Sequence, residues 1–280
     1  MFYPLLVSTA ELERHLGHAD WVVVDCRHDL LNRSAGAEAY AAGHIPGAHF
    51  LHCDTDLSSP PNGRNGRHPL PSIAQFAATL ARCGVRPGVQ LVAYDAAGGS
   101  YAARLWWMAR WLGHEAAAIL DGGWGKWVAE GRPQSTERPV VANGQVEAVP
   151  RLPTVDSEAV AANLHRGDFV VVDARANDRY RGQNETIDPV AGHIPGALNR
   201  FFRDNLAADG CFKTPHLLRE EFAALLGRRG ATEVVHQCGS GVTACHNLFA
   251  MELAGLTGSK LYPGSWSEWI ADPTRPIATE

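Results

Sequence analysis

Three motifs occur twice along this chain, in the same order. Trp21-Val22-Val23-Val24-Asp25-Cys26-Arg27 returns as Phe169-Val170-Val171-Val172-Asp173-Ala174-Arg175, and Gly43-His44-Ile45-Pro46-Gly47-Ala48 returns unchanged as Gly192-His193-Ile194-Pro195-Gly196-Ala197. Gly122-Gly123-Trp124-Gly125-Lys126-Trp127 is echoed by Gly264-Ser265-Trp266-Ser267-Glu268-Trp269. The spacing between copies is too long for a solenoid repeat and fits a duplicated domain. The expected organisation is a first domain over 1–138, a linker over 139–153 and a second domain over 154–280. The linker carries three prolines and Asn143-Gly144, with no sustained helical period.

Each copy opens on a capped helix, at Ser8-Thr9-Ala10-Glu11 and from Asp156 onward, followed by an apolar run at 21–24 or 169–172. Continuous apolar runs between helical segments indicate parallel strands covered on both faces. Further strands are expected at 90–94 and 234–237, and helices at 73–83, 102–112, 219–228 and 244–254. The pattern predicts two doubly wound α/β domains, each a parallel sheet flanked by helices. Ligands of such folds sit beyond the carboxyl ends of the strands.

At one such end lies Cys238-Gly239-Ser240-Gly241-Val242-Thr243, between the run ending at Gln237 and the helix from Ala244. Glycines let the backbone curl so that N–H groups converge, and the helix start adds its positive dipole end. Such a loop favours a thiolate and suits a nucleophile. A small buried thiol ahead of a helix is the other reading of the same residues. Aligned with the first copy, Cys238 falls opposite Asp95, so the loop is built twice and the sulfur supplied once.

A net charge of −5 gives no reason to invoke nucleic acid or an anionic membrane surface, and no apolar run reaches the length of a membrane span. The chain enters its first helix almost at once, which leaves no room for a signal peptide. The six cysteines show no paired spacing, as expected of reduced thiols in a cytoplasmic protein. His49, His52 and Cys53 lie close together, but strand alternation would not converge them on a metal. His44 and His193 recur in both copies, which points to structure. Trp106, Trp107 and Trp111 suit helix packing.

The paired Asp-x-Arg, Gly-His-Ile-Pro-Gly-Ala and Gly-x-Trp-x-x-Trp motifs resemble the tandem rhodanese sulfurtransferases over essentially the whole chain. The Cys-Gly-Ser-Gly-Val-Thr loop is similar to the 3-mercaptopyruvate branch, whereas thiosulfate-preferring members place basic residues just after the cysteine. The resemblance implies that Cys238 carries a persulfide, taking sulfur from a small-molecule donor and passing it to a thiol, cyanide or protein acceptor. No cofactor or metal and no nucleic-acid or membrane partner is expected. Gly239, Gly241, Val242 and Thr243 would line the donor site. Ser240 would work with a histidine and an aspartate of the first copy, for which His68 and Asp56 are the matching residues. Read alone, without the resemblance, His68 is an ordinary exposed loop histidine.

The resemblance also makes Arg179 the residue that grips the donor's carboxylate, as a planar fork can. The family's second arginine falls at Asp188, a departure that would repel an anion unless the carboxylate turns away or pairs with Arg181. Arg181, Arg200 and Arg203 are the candidates to complete the grip. Two other activities remain to be weighed. Phosphatases of related fold need Cys-x5-Arg, but position 244 is alanine and no basic residue lies between Cys238 and His246. Thiosulfate:cyanide transfer or a non-catalytic binding role are the alternatives to mercaptopyruvate chemistry.

Overall fold

The computed structural model describes residues 2–140 and 143–280. Its chain packs into two units. The first contains the residues up to Ser59, with Leu70–Leu152 and Ala208–Cys211; the second contains Pro60–Pro69, Pro153–Ala207 and Phe212–Glu280. The loop Pro60–Pro69 thus belongs to the second unit although it lies in the first copy. Val141 and Ala142, inside the expected linker, lie outside the described residues. Beyond them Gly144 N bonds to Ala81 O, Val149 N to Leu112 O and Arg151 N to Trp111 O, so this stretch runs along the first unit.

The first unit runs β1 (Leu6–Val7), α1 (Thr9–Arg14), β2 (Trp21–Asp25), α2 (Ala35–Ala42), β3 (His49–Phe50), α3 (Ile73–Arg82), β4 (Gln90–Tyr94), α4 (Ala102–Trp111), β5 (Ala117–Leu120) and α5 (Gly123–Ala129). Its strands form a parallel sheet in the order β1-β5-β4-β2-β3. The second unit follows with α6 (Ser157–Arg166), β6 (Val170–Asp173), α7 (Asn177–Tyr180), β7 (Leu198–Asn199), α8 (Pro215–Leu226), β8 (Val234–Gln237), α9 (Ala244–Leu253), β9 (Lys260–Leu261) and α10 (Ser265–Trp269). Its parallel order β7-β6-β8-β9 repeats that of the first, and a bridge from Thr154 to Leu261 stands where β1 meets β5. Both units are parallel sheets flanked by helices, as expected.

The repeated motifs recur because they meet. Arg27 grips Asp25 through Nε and Nη2, donates to Gly43 O, and lies 4.5 Å over the Trp124 ring. Arg175 does the same with Asp173, Gly192 O and Trp266. One guanidinium therefore ties the apolar strand (β2 or β6), the histidine-bearing turn and the closing helix together. His44 and His193 are structural: each stacks on a tyrosine (Tyr40, Tyr180) and bonds to its carbonyl through Nδ1 at 2.8 Å. Ile45 and Ile194 are buried in the two cores, with Val23, Val92 and Trp127 in one and Val171, Val235 and Trp269 in the other. Trp106 and Trp107 are buried on α4, which packs on β4 and β5, and Trp107 stacks on Trp111. Among the described residues no helix is long and apolar enough to cross a membrane.

Candidate active site

Cys238 follows β8 directly, and the loop from Gly239 to Thr243 carries the chain into α9. Gly241 adopts φ +78°, and a Cβ there would stand 2.2 Å from Pro263 O, so the turn demands glycine. Its N–H donates to Cys238 Sγ at 3.1 Å. Cys238, Gly239 and Val242 are buried and Thr243 half-buried at the mouth of α9. The start of α10 fixes the loop from behind: Trp266 N donates to Cys238 O and Ser267 N to Gly239 O, at 3.0 and 2.9 Å.

Ser265 completes this support and was not foreseen. Its hydroxyl accepts from Cys238 N at 3.1 Å and donates to Tyr262 O at 2.9 Å. Its φ of 55° makes it the only non-glycine residue in the left-handed region among those described. The corresponding residue of the first unit is Gly123, with the same φ. The substitution of serine for glycine at a position that favours glycine was the available signal: strain is accepted where a hydroxyl holds the Cys238 backbone.

Asp95 occupies the same place in the first unit, as the alignment predicted. Trp124 N donates to Asp95 O as Trp266 N does to Cys238 O. The Asp95 carboxylate accepts four backbone bonds, from Ala97, Gly99, Tyr101 and Ala102, at 2.7–2.9 Å. Burial pushes its carboxyl above the usual range, opposed by those four donors. The loop is an anion nest, and in this copy the anion is part of the chain.

Burial disfavours the thiolate at three of the other cysteines. Burial raises Cys26 strongly and pushes Cys83 up to about 12 and Cys211 up to about 11.

His68 is buried, not exposed, and its Nδ1 lies 2.7 Å from Ser240 Oγ. The loop that carries it is seated on the second unit. Gly66 takes φ +82° against Gly264 O, and Arg67 N donates to Ser267 Oγ at 2.9 Å. Asp56, the expected third member, uses both oxygens within the first unit, accepting from His52 N at 2.8 Å and from Arg82 at 2.7 Å. The His52 ring bonds to Asp54 N and Arg33 O.

The arginines depart from expectation. Arg179 presents its Nε/Nη2 edge to Glu185, at 2.9–3.2 Å, and Nη2 also reaches Asp188 at 3.0 Å. The fork expected to meet the donor's carboxylate thus meets a carboxylate of the chain. Burial would raise Glu185, but bonds from Asp188 N, Arg179 and Ile187 N outweigh it and leave its carboxyl below the usual range. Asp188 does not pair with Arg181. Its side chain is buried, with one oxygen on Arg179 and the other 2.5 Å from Arg67 Nη1. Arg181 is exposed, at the C-cap of the single-turn helix α7. Arg200 is bound to Glu221 and Asn205, and Arg203 lies over the Phe202 ring. Arg67 was not foreseen, because an arginine in a Pro/Gly-rich loop has no periodicity to mark it.

Comparison with known proteins agrees with this architecture. The model of the rhodanese-like domain matches residues 8–130 and again 156–272. The chain is 47% identical to a probable 3-mercaptopyruvate sulfurtransferase of Pseudomonas aeruginosa, covering 98% of each. It is 38% identical to a putative thiosulfate sulfurtransferase of Mycobacterium tuberculosis, over 98% of this chain and 96% of the other. The crystal structure of SseA from Escherichia coli, described with the mechanism of 3-mercaptopyruvate sulfotransferases, superposes with a TM-score of 0.77 at 30% identity, covering 93% of this chain and 98% of that one. With a rhodanese-like domain matched twice and whole-length relatives at these identities, the chain belongs to the rhodanese family.

Proposed function

We propose that the chain is a sulfurtransferase that takes sulfur from 3-mercaptopyruvate onto Cys238 and passes it to a thiol or cyanide. The second unit is the catalytic one, and the first carries Asp95 where a nucleophile would stand. Both donor names occur among the relatives, so the choice of donor rests on chemistry. The observation that carries it is the 2.7 Å contact between His68 and Ser240, beside the cysteine loop.

The Cys238 thiolate attacks the donor's sulfur, the new S–S bond takes its electron pair from Cys238, and the C–S bond breaks. Its electrons go to carbon as the enolate of pyruvate, which must gain a proton to leave as pyruvate. The donor's own thiol supplies that proton, and the Ser240–His68 couple is the group placed to carry it. Thiosulfate releases sulfite and needs no such proton, so a proton couple beside the sulfur favours the mercaptan donor. An acceptor thiolate or cyanide then attacks the outer sulfur and returns Cys238 as thiolate. The Gly241 N–H on Sγ stabilises the anion at both ends of the cycle.

The test is kcat/KM for 3-mercaptopyruvate against thiosulfate, with intact-mass measurement of the loaded protein. The expected result favours mercaptopyruvate, with one added sulfur that is absent in Cys238→Ser. His68→Ala should lower kcat at least about tenfold with mercaptopyruvate and leave loading by thiosulfate nearly unchanged. A higher kcat/KM for thiosulfate would overturn the donor assignment. Sulfur retained by Cys238→Ser would overturn the nucleophile.

A further inference from the structure

Arg27, Arg175, Arg179 and Arg67 each sit beside a buried carboxylate, and the first three use it in one way. Arg27, Arg175 and Arg179 each turn the Nε/Nη2 edge, the bidentate side of the guanidinium, to Asp25, Asp173 and Glu185. Arg67 is the exception. It meets Asp188 with Nη1 alone, at 2.5 Å, and its buried Nε has no hydrogen-bond partner. A buried donor without a partner carries a desolvation cost that an incoming acceptor would remove. The open edge is aimed at the reacting centre: Nη2 stands 3.0 Å from where a Cβ on Gly239 would lie, beside the residue that follows the nucleophile. Arg179 Nη2 is 3.8 Å from the same point, but its own fork is filled by Glu185.

The geometry points to Arg67 as the bidentate anchor for the carboxylate of the sulfur donor, with Asp188 as the residue that positions it. The inference rests on the reading of the site as one that takes a carboxylate-bearing donor. In 3-mercaptopyruvate the carboxylate lies roughly 4 Å from the sulfur, three bonds away, the reach from a sulfur at Cys238 to a group over the neighbouring residue. Asp188 stands where the family pattern has an arginine. Rather than repelling the donor, its buried carboxylate holds Arg67 by one end and leaves the fork open. The second guanidinium is thus supplied from the loop Pro60–Pro69 instead of from the segment after α7.

Two measurements on Arg67→Gln, Arg67→Lys and Asp188→Asn test this. The first is the rate at which Cys238 is alkylated by iodoacetate relative to neutral iodoacetamide, read on the Cys238 peptide by mass. Arg67→Gln should lower the iodoacetate-to-iodoacetamide ratio at least about fivefold while the iodoacetamide rate stays that of the wild type, which also shows the loop intact. The second is the KM for 3-mercaptopyruvate, which should rise about tenfold with kcat changed less than about threefold, as loss of ground-state binding requires. Arg67→Lys should restore the alkylation ratio only in part, since an ammonium has no fork, and Asp188→Asn should raise KM as well. A ratio within twofold of the wild type in Arg67→Gln would overturn the assignment, as would an unchanged KM. If the wild type does not turn over 3-mercaptopyruvate, the donor reading fails, and the alkylation ratio still decides the role of Arg67.

Discussion

Asp95 shows at the level of one side chain what the cysteine loop is built to do. Four N–H groups converge on its carboxylate in a buried site. Asp95→Ala strands those donors, and each unsatisfied buried group costs about 1–3 kcal/mol. The expected loss is about 3–5 kcal/mol of unfolding free energy by urea titration, less than the sum because water can enter. A loss below about 1 kcal/mol would show that the nest does not depend on its anion. Cys238 was legible in the sequence because a strand end, two glycines and a helix start surround it. Ser240 and His68 were legible only through family resemblance, since the residues that join them lie far apart in the chain. Arg67 and Ser265 were not legible. What marks them is an unused edge of a guanidinium and a backbone angle, and neither leaves a pattern in residue order.

Elements with long apolar runs were read closely, whereas short ones escaped. Strands β4 and β8 have the expected bounds, but β3 and β7 span two residues each and offer no run to detect. Helix α8 begins four residues before its expected start, because Thr214 caps it and Pro215 takes the first helical position. Strand β8 also carries a liability. His236 is fully buried, its Nδ1 makes no hydrogen bond, and burial pushes its pKa down to about 3. The unfolded chain binds a proton near pH 6.5 and the folded one does not, so the stability present above pH 6.5 is lost as pH falls toward 3. Between pH 6.5 and 5 this one group should cost roughly 1.5 kcal/mol. The difference in unfolding free energy between those pH values should shrink by about that amount in His236→Leu. An equal pH dependence in both proteins would mean that another group carries it.

At the scale of the whole molecule the duplication was plain from three motifs, and the two sheets share one strand order. The exchange of segments was not. Nothing in the residue order of Pro60–Pro69 says that it packs with the other unit, because its anchors are a left-handed glycine at Gly66 and single polar contacts at Arg67 and His68. The two anion loops have a further consequence for the protein's life between turnovers. In the first unit the nest is permanently filled by Asp95; in the second it holds charge only as chemistry allows. A persulfide carries the same single charge one atom farther out, on its outer sulfur, where the loop's remaining N–H groups can meet it, so the loaded protein should be the sturdier form. Its melting temperature should exceed that of the cyanide-stripped protein by a few degrees, about what 1 kcal/mol gives a chain of this size. Equal melting temperatures would show that the added sulfur finds no donors. A higher melting temperature of the loaded form would mean that the fold favours storage over release. Where acceptors are scarce the protein would rest charged with sulfur, a reserve held in readiness, and it would be the arrival of an acceptor, not of a donor, that sets it moving.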